Sequence, residues 1–223
     1  MEAENDAWSH AYLFVGNDID QINNVIDFIV AAKKCPIGDI VRLKPEEKDN
    51  KSGEIKGEQV KAFLHQISLT ASNGSKIGII ENCDKLNVTS SNVLLKTIEE
   101  PPKNVTIILV SRTESVIATI KSRCRIYHFG VGEEANHNYS YENLFAGSLI
   151  DGFKKIEEIV KSEDVMDFLD GLSNYLLTKA TKEHSTELAN LVEETQLVKK
   201  KIKGNANQRL TLENLFLDIK DHI

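Results

Sequence analysis

Cysteine is scarce in this chain: three in 223 residues, at Cys35, Cys83 and Cys124. Their number is odd, their spacing is wide and no CxxC pair occurs, so neither a disulfide framework nor a thiolate zinc site is supported. Long apolar runs are missing too; none approaches the ~20 residues of a membrane-spanning helix. Positive charge is not in excess. Lys and Arg number 27 against 34 Asp and Glu, a formal net charge of −7. A DNA-binding domain reads the other way, so any nucleic-acid contact is expected to be local or shared with partners. His10, His65, His128, His137, His184 and His222 show no ligand spacing, and no bound metal is expected. The opening MEAENDAWSH is acidic and polar, unlike a signal peptide. These features read as a cytoplasmic protein with reduced thiols.

What is present is ordinary for a globular chain: 41% hydrophobic and 27% charged residues. Tyr12–Val15 is a short apolar run ending at Gly16, the pattern of a buried strand. Residues 18–34 carry Ile19, Ile22, Val25, Ile26, Ile29 and Val30 at helical spacing, and Cys35-Pro36 should end that helix. Strands are expected at Asp39–Leu43, Lys76–Ile80, Val105–Val110 and Arg125–Phe129. Helices are expected at Val60–Leu69, Ser90–Glu99 and Ser115–Lys121, with residues 44–57 as a polar loop. The continuous apolar character of KIGII and VTIILV suits parallel strands covered on both faces. Alternating strands and helices predict an α/β domain with a mainly parallel sheet over residues 1–130. Beyond a linker from Gly130 to Tyr141, only helix patterns follow, broken near Ser162, Glu183–Ser185 and Gly204-Asn205.

LFVGNDIDQIN, residues 13–23, has the order of a phosphate-binding loop. The full pattern is GxxxxGK[ST], whose lysine reaches the β- and γ-phosphates and whose hydroxyl holds Mg²⁺. Counted from Gly16, the three closing positions fall on Gln21, Ile22 and Asn23. None supplies the chemistry. The third strand ends IIENCDKL, where an ATPase of this kind places a metal-binding Asp and then a Glu. Glu81 takes the first position and Asn82 the second. An amide has no useful basicity near neutral pH, so Asn82 cannot activate water. Both failures predict a chain that does not hydrolyse ATP, with no cofactor of its own, and leave open weak nucleotide binding through helix N-terminal amides.

The stretch from Lys76 to Cys124 is more specific. It holds Asp84-Lys85, SNVLLKTIEEPP at Ser91–Pro102, the strand VTIILV, and ATIKSRC at Ala118–Cys124. In order and spacing it resembles bacterial clamp-loader AAA+ subunits. HAYLFVG (His10–Gly16) is similar to that family's opening strand, and GNANQRLTLENLFLDI (Gly204–Ile219) to its last collar helix. The resemblance implies an AAA+-like P-loop NTPase fold with a degenerate P-loop, followed by an all-α collar-like domain. Residues 131–161 would be a linker and reduced lid remnant, and residues 162–223 the collar. The family's four-cysteine zinc module is missing, since Cys35 stands alone.

A dead P-loop beside an intact SRC implies a non-hydrolysing member of the polymerase III assembly. Arg123 would be an arginine finger for the ATP held by an adjacent gamma/tau subunit, with Ser122 and Cys124 positioning it. Such fingers contribute about 10³–10⁵ in rate, and the planar guanidinium suits two-point contact with phosphate. The implied partners are the gamma/tau and delta subunits, the sliding clamp indirectly, and primed DNA through the assembly. Lys56, Lys61 and Lys85 are candidate DNA contacts. Lys96, Glu99 and Glu100 lie on or just after the helix of the SNVLLKTIEEPP stretch, where Glu99 and Glu100 read as setting the helix end and subunit contacts; Arg112 reads as a structural or interface residue, and Lys199–Lys203 as a solvated helix face. The alternative reading is a divergent loader ATPase with nucleotide binding and hydrolysis of its own.

Overall fold

The computed structural model describes residues 9–48, 51–72, 74–130 and 139–222. The chain divides into two compact units, residues 1–131 and 132–223.

In the first unit, β1 (Ala11–Gly16), β2 (Ile40–Leu43), β5 (Lys76–Ile80), β6 (Val105–Ser111) and β7 (Arg125–Phe129) form one sheet. Its order is β2-β5-β6-β1-β7, and every pairing is parallel. The three inner strands are buried at every position. This accounts for their unbroken apolar sequences, since helices cover both faces. The edge strands are less covered, and β7 exposes His128. The polar stretch expected to be a plain loop carries a two-stranded hairpin, β3 (Glu47–Lys48) and β4 (Lys51–Ser52). It also anchors the fold, because Ile55 is fully buried and bridges to Leu86.

Side chains alternate across the sheet, as strand geometry requires. Leu13, Val15, Ile107 and Leu109 face a core with Phe63 and Ile67 of α2 (Gly57–Ser68), Leu94 and Ile98 of α3 (Val88–Glu99), and Ile120 of α4 (Ala118–Lys121). The alternate residues build an aromatic cluster in which Phe14 meets Phe129 edge-on at 5.4 Å and Tyr127 at 6.0 Å. Helix α1 (Ile19–Ala32) buries Ile22, Val25, Ile26 and Ile29 and contacts β7. One buried charge interrupts the apolar run of β5. The Lys76 ammonium donates to the carbonyls of Gln66 and Leu69 at 3.1 and 3.0 Å and lies 3.8 Å from Asp39. Three partners offset the desolvation cost of that charge.

Among the described residues, the second unit has five helices: α5 (Tyr141–Ala146), α6 (Leu149–Lys161), α7 (Val165–Glu183), α8 (Thr186–Lys203) and α9 (Gln208–Lys220). Ser140, Ser148, Ser185 and Asn207 each cap a helix by accepting an amide three residues on. Helix α9 packs on α5, α6 and α8, and Phe145 stacks on Phe216 at 5.5 Å. Lys220 donates to the Phe145 and Gly147 carbonyls at 2.6 and 2.7 Å, closing the end of α5. Helices α5 and α6 therefore share one core with α9. Of the expected linker, residues 131–138 lie outside the described residues. Among the described residues no helix is long and apolar enough to cross a membrane.

Candidate functional site

The β1–α1 connection is shorter than the counted register requires. The register counted from Gly16 requires four residues before the closing glycine. In the structure only Asn17 and Asp18 separate β1 from α1. Gln21, Ile22 and Asn23 lie within the helix, and Ile22 is 1% exposed. Gly16 serves packing. Its φ is +149°, and a Cβ there would lie 1.7 Å from the Phe129 carbonyl oxygen. Asn17 N–H donates to that same carbonyl at 3.2 Å. Gly130, at φ +68°, abuts Asp18 in the same way. The ends of β1 and β7 are thus packed directly against each other and against the start of α1.

Asp18 closes the same connection. Its carboxylate accepts the Gln21 amide at 2.9 Å and caps α1. Helix N-terminal amides attract anions; here the chain's own carboxylate takes one and places negative charge before the rest. The signal was legible, since Asp18 followed by Gln21 has capping-box spacing. Asp18→Ala is expected to cost about 1 kcal/mol, read as a lower urea midpoint. ATP titration should give no binding heat, because the loop stays short.

At the end of β5, Glu81 turns toward the sheet edge. One carboxylate oxygen meets Arg42 at 3.1 Å and the other meets Lys44 at 3.0 Å. Both oxygens are thereby engaged by protein cations. Asn82 adopts a left-handed conformation, φ 51°, and begins the turn at Cys83–Lys85. Cys83 is buried, and burial pushes its thiol well above the ordinary range. Among the described residues no group of three His, Cys, Asp or Glu could hold a metal. Cys35 is buried, with its thiol 3.5 Å from the Ser75 carbonyl.

The SRC residues follow α4. Ser122 and Arg123 close it by main-chain bonds to Ala118 and Ile120, and β7 starts at Arg125. Cys124 packs against the core beneath α2–α4. Burial pushes its thiol up to about 12, so it stays protonated and unreactive at neutral pH. The Ser122 hydroxyl donates to the Thr119 carbonyl at 3.1 Å and accepts from Arg123 Nη1 at 3.2 Å. Arg123 Nη1 also donates to Thr119 O at 3.0 Å, and Nε donates to Glu99 at 2.6 Å. Glu99 enters as a partner of the arginine, beyond its reading as a helix end. Its 24-residue separation from Arg123 leaves no local signal in the sequence.

Register places this cluster at the opposite end of the strands from Gly16. Tyr12 pairs with Arg125, and Gly16 with Phe129. Four steps of β7, about 13 Å at ~3.3 Å each, separate the two levels before Arg123 is reached. His10, Ile98, Glu99, Ser122 and Arg123 line a surface depression of about 450 Å³ at that end. Among the other candidates, Lys56, Lys61, Lys85, Lys96, Glu100 and Arg112 are exposed. Lys200, Lys201 and Lys203 are also exposed, whereas Lys199 pairs with Asp170.

Residues 29–132 match the family model described as DNA polymerase III, delta subunit. A stretch of 84 residues is 36% identical to DNA polymerase III subunit delta' of Pseudomonas aeruginosa, covering 37% of this chain and 25% of that protein. A longer stretch of 174 residues is 29% identical to DNA polymerase III subunit gamma of Buchnera aphidicola, covering 77% of this chain and 42% of that protein. A solved gamma subunit-related protein of Thermotoga maritima aligns at TM-score 0.47 and 15% identity, over 96% of this chain and 95% of that one. In these two curated relatives, the chain spans between a quarter and about two-fifths of their length.

Proposed function

We propose, from the premise that the α/β domain belongs to the DNA polymerase III clamp-loader family, that this chain is a delta-prime-type stator. It hydrolyses no ATP itself and offers Arg123 to the ATP site of an adjacent gamma/tau-type subunit. The observation that carries this reading is the separation of Arg123 from its own β1–α1 loop. Ligands of open parallel sheets sit beyond the strands' carboxyl ends. Arg123 lies at the opposite, amino-terminal end of the strands, next to the start of β7. It is exposed there and can serve only a nucleotide brought by another molecule. Ser122 orients it through Nη1, and Cys124 fixes the turn from the core side.

The helical unit would be the collar through which the chain joins the ring. Residues 131–161, including α5 and α6, would stand where longer members carry a lid. Delta-type and gamma/tau-type subunits would be direct partners, and the sliding clamp and primed DNA would be met through the assembly.

The longer match to a gamma subunit favours a second reading, an ATPase in its own right. The two-residue loop, the capping carboxylate of Asp18 and the paired Glu81 argue against it. Turnover separates them. ATP hydrolysis is measured for this chain alone, for the gamma/tau partner alone and for both together. The stator reading expects none from the chain alone and a rate in the mixture above the partner's own. Robust turnover by the isolated chain overturns it.

A further inference from the structure

We propose that Glu99 is a built-in competitor for Arg123, occupying the guanidinium edge that a neighbour's phosphate must take. The inference rests on the trans-finger reading above. Arg123 Nε donates to Glu99 Oε1 at 2.6 Å, and Nη2 lies on the same oxygen. Nη1 donates to the Thr119 carbonyl and to the Ser122 hydroxyl. One bond from Nε, one from Nη2 and two from Nη1 engage four of the five N–H donors.

The two sides of the guanidinium are not equivalent. The Nη1 side meets neutral acceptors within four residues of Arg123, and these set the direction of the side chain. The Nε/Nη2 side meets a carboxylate brought in by the end of α3. That side presents two parallel donors, the geometry carboxylates and phosphates share. A phosphate oxygen can therefore replace Glu99 while Ser122 and Thr119 keep their hold. The side chains of Arg123 and Glu99 are 35% and 48% exposed, so solvent and salt weaken the pair and leave it open to exchange. The adjoining depression, with His10 on its wall, gives an incoming anion access. Glu99 thus keeps the finger folded on its own subunit until a more highly charged group displaces it.

The test is single-turnover ATP hydrolysis by the assembled complex of the full chain with its gamma/tau partner, read at the fast phase that depends on Arg123. Glu99→Gln keeps the side-chain shape and removes the charge. Its fast-phase rate is expected to rise about two- to fivefold, the size of an exposed ion pair. The gain should vanish in Glu99→Gln/Arg123→Ala. An unchanged or lowered fast-phase rate for Glu99→Gln, with Arg123→Ala still slow, overturns the competition and leaves the finger standing. A gain that survives in the double variant also overturns it, since the charge would then act on the nucleotide directly. If Arg123→Ala alone changes nothing, the finger reading itself fails, and the competition with it. In the isolated chain, the Arg123 Nε–Hε nuclear magnetic resonance signal should shift on Glu99→Gln; an unmoved signal counts against the pair.

Discussion

Arg123→Ala is expected to slow hydrolysis at the neighbouring subunit's ATP site by about 10³-fold or more, with little change in this chain's stability. The arginine's bonds all lie on the surface: Glu99, Thr119 and Ser122. Losing an exposed pair costs at most about 1 kcal/mol, so the thermal midpoint should move by only a few degrees. The catalytic loss is larger for an electrostatic reason. A fixed cation beside developing phosphoryl charge acts where water has been excluded and needs no reorganisation during the reaction. In a ring with several ATP sites, one finger serves one site. The check is therefore single-turnover hydrolysis, in which the amplitude of one site's fast phase should disappear. Arg123→Lys should recover little, because a point charge cannot make the two-point contact. An undiminished fast phase in Arg123→Ala would remove the finger assignment.

Ile22→Lys is expected to destabilise the α/β domain by about 3–5 kcal/mol and to create no nucleotide site. By simple register, this substitution restores the lysine of a phosphate loop. In the fold it does the opposite of a repair. Ile22 is 1% exposed and lies one turn inside α1, on the face shared with Ile26 and Ile29. A lysine there loses the apolar burial and must lose its proton, leave its charge unpaired, or pull the helix outward to reach water. Urea unfolding followed by circular dichroism should show an early transition for this domain. Ile22→Met, which keeps volume and apolarity, should cost less than about 1.5 kcal/mol. ATP binding by Ile22→Lys at full stability would show that the loop can open, and would revive the ATPase reading.

Much of the α/β domain was legible in sequence because its inner strands are buried on both faces. KIGII and VTIILV could satisfy no other environment, and the strand Arg125–Phe129 falls at its expected limits. The helix breaks at Ser162, His184 and Gly204 were legible through their turn and capping residues. The stretch 44–57 was less so. Its charged composition hid a buried Ile55 and the hairpin before it, since one apolar residue has no period to reveal it. Asp39 with Lys76 was hidden for a related reason. A buried charge is written like an exposed one, and only its partners tell them apart.

The sequence by itself determined that Ile22 and Asn23 stand where a counted phosphate loop would carry a lysine and a hydroxyl, that Asn82 follows Glu81, and that Ser122-Arg123-Cys124 stands in a stretch resembling clamp-loader subunits. These are statements about side-chain chemistry at counted positions, and counting needs no fold. Tertiary structure decided the rest. Gly16 leaves room for the Phe129 carbonyl, which a Cβ there would strike. Asp18 caps the helix that follows β1. Parallel register puts Arg123 at the opposite end of the strands from Gly16, against Glu99. Each depends on which strands lie side by side. That choice is fixed by burying all the apolar faces at once, so no single stretch of the chain contains it.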